Sequence, residues 1–398
     1  MWNTGQIDTA AERMGRSFEI LSGDEPDEDL AMLAAQLARF RVFTGDSEGA
    51  EEPLEFALEV AEAQRLPHAL SEALNTKSLI LLRRGRPEEG LALLRHALEL
   101  ALENDLTESA LRAYFNLAYV NAGWDRLEEA IKVDEEGLEL ARRRGKRQWE
   151  AAFLGHLRGD HTSLGSWEGI TGPMSDPSES WETLPWQAKL DFSQTTIPVA
   201  LARGRIDEAK SAFALFPPEP SAELQEMAGH ALARAMIARV EGRYADALAA
   251  AEETLITDVP LGPEHPFFKD GFAEAVEAAL SLGNLERAEE LVRMIKELRP
   301  VERVPFLEAQ AARFSARLAA TRGEASSVEP GFKRSVALLR EIGARFWLAV
   351  VLLEHGEWLA EAGRGEEAEP LLSEARETFE RLEAKPWLER LEAVAVAA

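Results

Sequence analysis

The chain has 398 residues, 46% hydrophobic and 29% charged, with 44 Lys and Arg against 71 Asp and Glu for a formal net charge of −27, three Tyr and no Cys. That balance repels phosphate backbones and argues against direct nucleic-acid binding, which needs a basic footprint. Without Cys there are no disulfides, thiolate metal sites or Cys nucleophiles.

No basic-then-apolar signal opens the chain and no apolar run reaches the ~18 residues of a membrane helix, so the reading is cytoplasmic, away from membranes. Ala, Leu, Glu and Arg dominate while β-branched residues are sparse, which is helix-forming composition.

The first words, "MWNTGQIDTAAERM", hold a turn at Gly5 and then an amphipathic pattern that runs to Leu21. The phrase returns along the chain at Gly45, Gly85, Asp125, Gly165, Gly204, Gly242, Gly283, Gly323 and Gly363, at a period of about 40 residues. Asp125 is the one position in this ladder that is not Gly, and Asp tolerates a left-handed conformation. Five residues after the turn stands Ala or Gly in eight of the ten units, as at Ala10, Ala50, Gly90, Ala130 and Ala209, with Ile170 and Val328 the exceptions.

Small residues also stand seven before the turn (Ala38, Ser78, Ala118, Ala235, Ala316, Gly356) and twelve after it (Ser17, Ala57, Ala97, Gly137, Thr254, Ser335, Ala375). Such columns are needed where two helices approach closely. In "EEGLALLRHALELALE", Leu91, Leu94, Leu98 and Ala101 share one helix face, and Pro87, Pro266 and Pro305 suit first-turn positions. Each unit is therefore a hairpin, with helix A before the turn and helix B after it. One hairpin cannot bury its own apolar face, so neighbours stack into an all-α solenoid.

On this frame residues 1–24 are an incomplete repeat, a turn and helix B without helix A. Ile7, Met14, Phe18 and Leu21 then lack part of their packing surface. This implies a longer parent chain, or docking of residues 1–22 onto another surface, including self-association. Residues 25–145 are regular repeats.

Residues 146–185 are degenerate: "LRGDHTSLGSWEGITGPMSDPSESWETLPW" predicts a short helix and then a loop through 173–180. Trp149, Trp167, Trp181 and Trp186 lie in or beside it with Asp160 and His161, either as a pocket or hinge or as indoles filling the space of a shortened helix. Repeats resume over 186–384. They are interrupted by the connection "DVPLGPEHPFFKDGF", which starts a helix near Pro266. Residues 385–398 form a capping helix that begins near Pro386.

The turn Gly and the small columns on either side resemble the tetratricopeptide (TPR) pattern, stretched from 34 to about 40 residues. "LSEALNTKSLILLRRGRPEEGLALLRHALELALENDL" and "EAEPLLSEARETFERLEAKPWLERLEAV" are similar to the C-terminal helical region of bacterial signalling ATPases, among them cyclase-coupled proteins and large LuxR-type regulators. The resemblance implies a right-handed superhelical solenoid of nine hairpins preceded by a lone helix B. It also implies a protein or peptide partner, such as an ATPase or cyclase domain that the chain itself lacks. "RRRGKRQW" at 142–149 has Gly-Lys without the rest of a phosphate loop.

Nine residues before the turn, Gln36, Thr76, Asn116, His156 and Thr195 form a polar column on successive A helices, with Arg39, Asn75, Tyr119 and Gln194 one to three residues away. In TPR proteins helix A lines the concave face, and this offset resembles the column where peptide-binding members use Asn. Amides satisfy both N–H and C=O of an extended peptide. The alternative is that these groups hydrogen-bond between helices or face water. The column then changes to Ala233, Glu274, Phe314 and Glu354.

The seven His are scattered, and His156 with Asp160 lacks further ligands, so neither a metal nor a cofactor is indicated. Acidic pairs such as Glu88–Glu89 recur at helix N-termini, where they complement the macrodipole. The sequence thus reads as a non-catalytic, regulatory binding scaffold. Its rivals are a small-molecule sensor using the groove or the Trp-rich break, and an α/α-toroid hydrolase.

Overall fold

The computed structural model describes residues 7–23, 25–168, 186–216, 224–255 and 262–397, and these are helical with no strand among them. A first helix, α1 (Ile7–Leu21), is followed by antiparallel pairs: α2 (Glu28–Phe43) with α3 (Glu51–Gln64), α4 (Pro67–Arg83) with α5 (Pro87–Glu103), and α6 (Thr107–Gly123) with α7 (Leu127–Arg143). α8 (Arg147–Ser163) has its turn at Gly165, and its expected second helix and the loop at 173–180 lie outside the described residues.

Pairing resumes with α9 (Trp186–Ala202) and α10 (Ile206–Ala214), then α11 (Leu224–Val240) and α12 (Tyr244–Glu252), followed by α13 (Pro266–Ser281) and α14 (Leu285–Glu297). The last pairs are α15 (Pro305–Thr321) with α16 (Ala325–Glu341) and α17 (Arg345–Glu361) with α18 (Gly365–Leu382), and α19 (Lys385–Ala397) ends the chain.

The ladder of turn residues is a ladder of left-handed backbone: Gly45, Gly85, Asp125, Gly165, Gly204, Gly242, Gly283, Gly323 and Gly363 all have positive φ, between 60° and 86°. At Gly85 the N–H donates to Leu82 C=O (2.9 Å) and the Arg86 N–H to Leu81 C=O (2.9 Å), which satisfies the last carbonyls of α4. A second ladder, unseen in the sequence, closes helix B onto the next helix A at Arg65, Asp105, Gly145, Gly343 and Glu383, also with positive φ. Charged residues hold most of those places, so no residue-type signal marked them.

Helix starts follow local chemistry. Pro opens α4, α5, α13 and α15, Asp27 accepts a bond from Leu30 N–H (2.9 Å), and the His265 ring caps α13 by accepting from Phe267 N–H (3.2 Å).

The small columns lie at helix–helix contacts. Ala38, Ala57, Ala97, Ala235, Ala316 and Ala375 are all fully buried. A Cβ on Gly356 would stand 2.6 Å from Leu372 Cδ2, and one on Gly137 would stand 2.5 Å from Phe153 Cζ. Two compact units result, one mainly residues 1–122 and 128–156, the other mainly 123–127, 157–257 and 263–398.

In the first unit, α1 is better covered than the sequence suggests. Phe18 is buried, edge-on to Phe56 at 5.3 Å, and Met14 packs half-buried on the same cluster. The outer face carries exposed Glu12, Arg13, Arg16 and Glu19 beside exposed Ile20 and Leu21. The missing cover therefore concerns the end of α1 more than its middle, because α2 and α3 supply apolar contacts to Phe18.

Candidate partner-binding face

In the first unit the A helices α2, α4, α6 and α8 bring the polar column side by side. Asn116 Nδ2 donates to Asn75 Oδ1 (2.6 Å), from α6 to α4. Below them Glu72 is ion-paired with Arg112, accepts from Gln36 Nε2 (3.3 Å), and Arg112 Nη2 donates to Thr76 Oγ1 (3.0 Å). A single carboxylate thus links three helices.

Burial would raise the Glu72 carboxyl, but the Arg112 charge, the Ser109 hydroxyl and Arg39 hold it below its ordinary value. Burial, then the charge of Arg112, pulls Arg39 down to about 9 against the opposing pull of Glu72. The Arg39 guanidinium also stands 5.8 Å from the Phe43 ring centroid.

His156 on α8 stacks on Phe115 at 4.1 Å, and its Nδ1 lies 3.3 Å from Asp134 Oδ1. Asp134 is fully buried; burial pushes its carboxyl up and His156 pulls it down, with a net rise.

The predicted stripe divides by depth. Gln36, Arg39, Asn116, Tyr119 and His156 are half-buried and line the surface of the first unit; within the second unit Gln194 on α9 is half-buried. Asn75, Thr76 and Thr195 are 1%, 0% and 1% exposed, so they are placed to hold their neighbours and have no surface of their own to offer. Gln36, Thr76, Asn116, His156 and Thr195 share one offset yet differ in depth, because small differences in how each A helix is rotated against its neighbours decide burial, and an offset along the sequence does not carry them.

The described residues around the degenerate repeat divide between the two units. Trp149, in the first unit, is half-buried; its Nε1 donates to Glu108 (2.8 Å) and its ring meets Phe115 at 5.7 Å. In the second unit Trp167 is 3% exposed, packed on Phe346 at 5.1 Å and donating to Thr162 C=O (3.0 Å), a core position between α8 and α17. Asp160 is buried and His161 half-buried. Trp186 is the first residue of α9, and Trp181 lies outside the described residues. Among the described residues no group of three His, Cys, Asp or Glu could hold a metal ion, and no helix is long and apolar enough to cross a membrane.

The second unit carries a charged network that the sequence reading missed. Fully buried Arg313 pairs with Glu354 through Nε (2.7 Å) and Nη2 (2.6 Å) and also with Glu277; Arg317 Nη1 donates to Glu277 (2.7 Å). Arg239 grips Glu274 with two bonds, at 2.5 and 3.0 Å. Burial opposes ionisation of Glu277 and Glu354, yet the surrounding arginines hold both carboxyls below their ordinary value. The available signal was opposite charge one repeat apart, as in Glu72/Arg112 and Glu277/Arg317.

The tetratricopeptide-repeat profile matches residues 69–143. The fold is thus a TPR-like helical repeat. No curated protein is significantly similar. Among solved structures the chain is similar to the apo form of the quorum sensor NprR from B. thuringiensis (15% identity, TM-score 0.42, covering 95% of this chain and 96% of that one). It is also similar to a Rap protein complexed with competence and sporulation factor (13%, 0.47, 95% and 94%) and to the human IFIT1 dimer with PPP-AAAA (14%, 0.39, 96% and 94%).

Proposed function

We propose that the chain is a non-catalytic binding protein whose A-helix face in the first unit takes an extended segment of a protein or peptide partner. The observation that carries this is Asn116. Its amide is half-buried and fixed by one bond to Asn75, and its Oδ1 and second N–H have no partner among the described residues. An anchored amide with one donor and one acceptor to spare matches the N–H and C=O of a peptide backbone. Fixing it beforehand lowers the entropy lost on binding. Half-buried Gln36, Arg39, Tyr119 and His156 extend the same face along α2, α6 and α8.

Random peptides displayed on phage can be selected on the full chain and the strongest binder titrated by calorimetry. Asn116→Ala is expected to weaken that peptide about ten-fold, the loss of roughly one neutral hydrogen bond, with unchanged helical circular dichroism. Undiminished affinity in both Asn116→Ala and Gln36→Ala would overturn the reading.

A further inference from the structure

Within the second unit, three successive hairpin turns dock on the starts of later A helices, through hydrogen bonds that span 178 to 181 residues. Asp125 Oδ2 accepts from Phe306 N–H at the start of α15 (2.7 Å). Leu164 and Gly165 press on the start of α17: a Cβ on Gly343 would stand 3.1 Å from Leu164 Cδ2, and one on Gly165 would stand 3.3 Å from Phe346 N. Arg203 Nε donates to Leu382 C=O (3.0 Å) and lies 3.7 Å from Glu383. Arg205 Nη2 donates to Glu383 (3.0 Å), and a Cβ on Gly204 would stand 3.1 Å from Pro386 Cγ in α19. Each contact joins an A-to-B turn to a B-to-A junction, and two of those junctions hold the left-handed residues Gly343 and Glu383.

The same turn edge continues uncovered. A Cβ at Gly283, Gly323 or Gly363 would meet nothing within 4 Å among the described residues, and Leu282, the counterpart of Leu164, is 44% exposed. Junctions of the matching kind are also uncovered, for in the first unit the left-handed residues Arg65, Asp105 and Gly145 are exposed. The three open turns and the three open junctions recur at the same spacing of 40 residues.

Charge selects how they pair. Arg322 precedes Gly323 as Arg203 precedes Gly204, and Asp105 is an acidic left-handed junction residue, as Glu383 is opposite Arg203. Setting Gly323 on Asp105 also sets Gly283 on Arg65. It sets Gly363, with Glu361 beside it, on Gly145 between Arg144 and Lys146. A shift of one repeat would bring Arg322 to Arg65, or to Arg144 and Lys146, and like charges held opposite disfavour association.

We infer that the turns at Gly283, Gly323 and Gly363 dock a second copy of this chain through its junctions at Arg65, Asp105 and Gly145. The contact that the second unit makes within itself is thereby repeated between copies. The two faces differ, so the association is heterologous, and each copy keeps one face of either kind for a further neighbour in a ring or a filament. In the single chain Arg322 pairs with Glu289, and Asp105 with Arg144. These pairs are partly exposed, so exchanging them costs little.

Sedimentation velocity of the full chain over a concentration series tests this. Salt of about 0.15 M screens the self-repulsion of a chain with net charge −27. The native chain is expected to grow beyond the monomer as concentration rises. Arg322→Glu and Asp105→Arg should each weaken that association at least about ten-fold, by setting like charges opposite, with unchanged helical circular dichroism. Arg65 shows that a junction accepts Arg at positive φ. A chain carrying both changes restores an opposite-charge pair between copies and should regain association. A native chain that stays monomeric throughout, single variants that associate like the native chain, or a double variant no better than either single one would each overturn the assignment.

Discussion

Asp125 stands where every other described hairpin turn has Gly, at φ 60°. Its carboxylate explains the exception. Oδ1 pairs with Lys269 Nζ, which also donates to Gly123 C=O (2.7 Å), and Oδ2 accepts from Phe306 N–H (2.7 Å) in the first turn of α15. Lys269 and Asp125 have side chains only 8% and 6% exposed, so removing one takes an ion-pair partner from a charge that is itself buried.

Asp125→Ala is expected to lower unfolding free energy by about 3–5 kcal/mol in urea titrations, through loss of the buried Asp125–Lys269 pair and of the bond to Phe306 N–H. Asp125→Gly relieves only the left-handed strain and should recover roughly 1–2 kcal/mol of that loss. A Gly variant as stable as the native chain would show that the carboxylate's contacts contribute no more than the strain that Gly relieves. The sequence marked Asp125 as the odd member of its ladder. It could not show what the carboxylate touches, because the partners lie more than 140 residues away along the chain.

At the scale of helices, the period, turns and small columns were legible because each is a local requirement repeated many times. A hairpin needs a left-handed residue to end helix A and a small residue where helix B crosses it, whatever the partner. Gly356 tests the second requirement. Its missing Cβ is the space occupied by Leu372 Cδ2 at 2.6 Å. Gly356→Val should destabilise by about 1–3 kcal/mol through overpacking, measured by urea midpoint, and Leu372→Ala in the same chain should restore part of the loss. Full tolerance of Val would mean that the column reflects helix propensity alone. The B-to-A turns were not legible, since Arg65, Asp105 and Glu383 adopt the left-handed state under the pull of the packed helices.

At the scale of the whole molecule, titrating groups shifted by desolvation oppose each other. Burial, then the charge of Glu274, raises Asp270 to about 7, with Lys269 opposing and Asp125 assisting. Asp270 therefore keeps its proton in the folded state while the unfolded chain loses it, and stability falls as pH rises from about 3.8 to about 7. His265 is the reverse: burial and Lys269 lower it to about 3, so stability is lost as pH falls from 6.5. His230 and His355 are also lowered, first by burial, and act in the same direction as His265.

The native chain should consequently show a shallow pH dependence across that window. Asp270→Asn should unmask a rise in stability with pH, with a larger advantage over the native chain at pH 8 than at pH 4. An advantage independent of pH, in thermal melts across the range, would place Asp270 at its ordinary value.

By itself the sequence determined the helical class, the forty-residue unit and the turn positions, because these arise from backbone conformation and helix contact within a unit. It also named the polar column on the A helices. Only the tertiary structure decided that Asn75 and Thr76 are interior supports, that Asn116 keeps a spare donor and acceptor among the described residues, and that Trp167 is core. It also decided that Glu277, Arg313 and Glu354 form one buried network. Those outcomes depend on which side of a helix faces its neighbour one repeat away, and burial and charge pairing are set by that three-dimensional neighbour, which an offset along the chain does not specify.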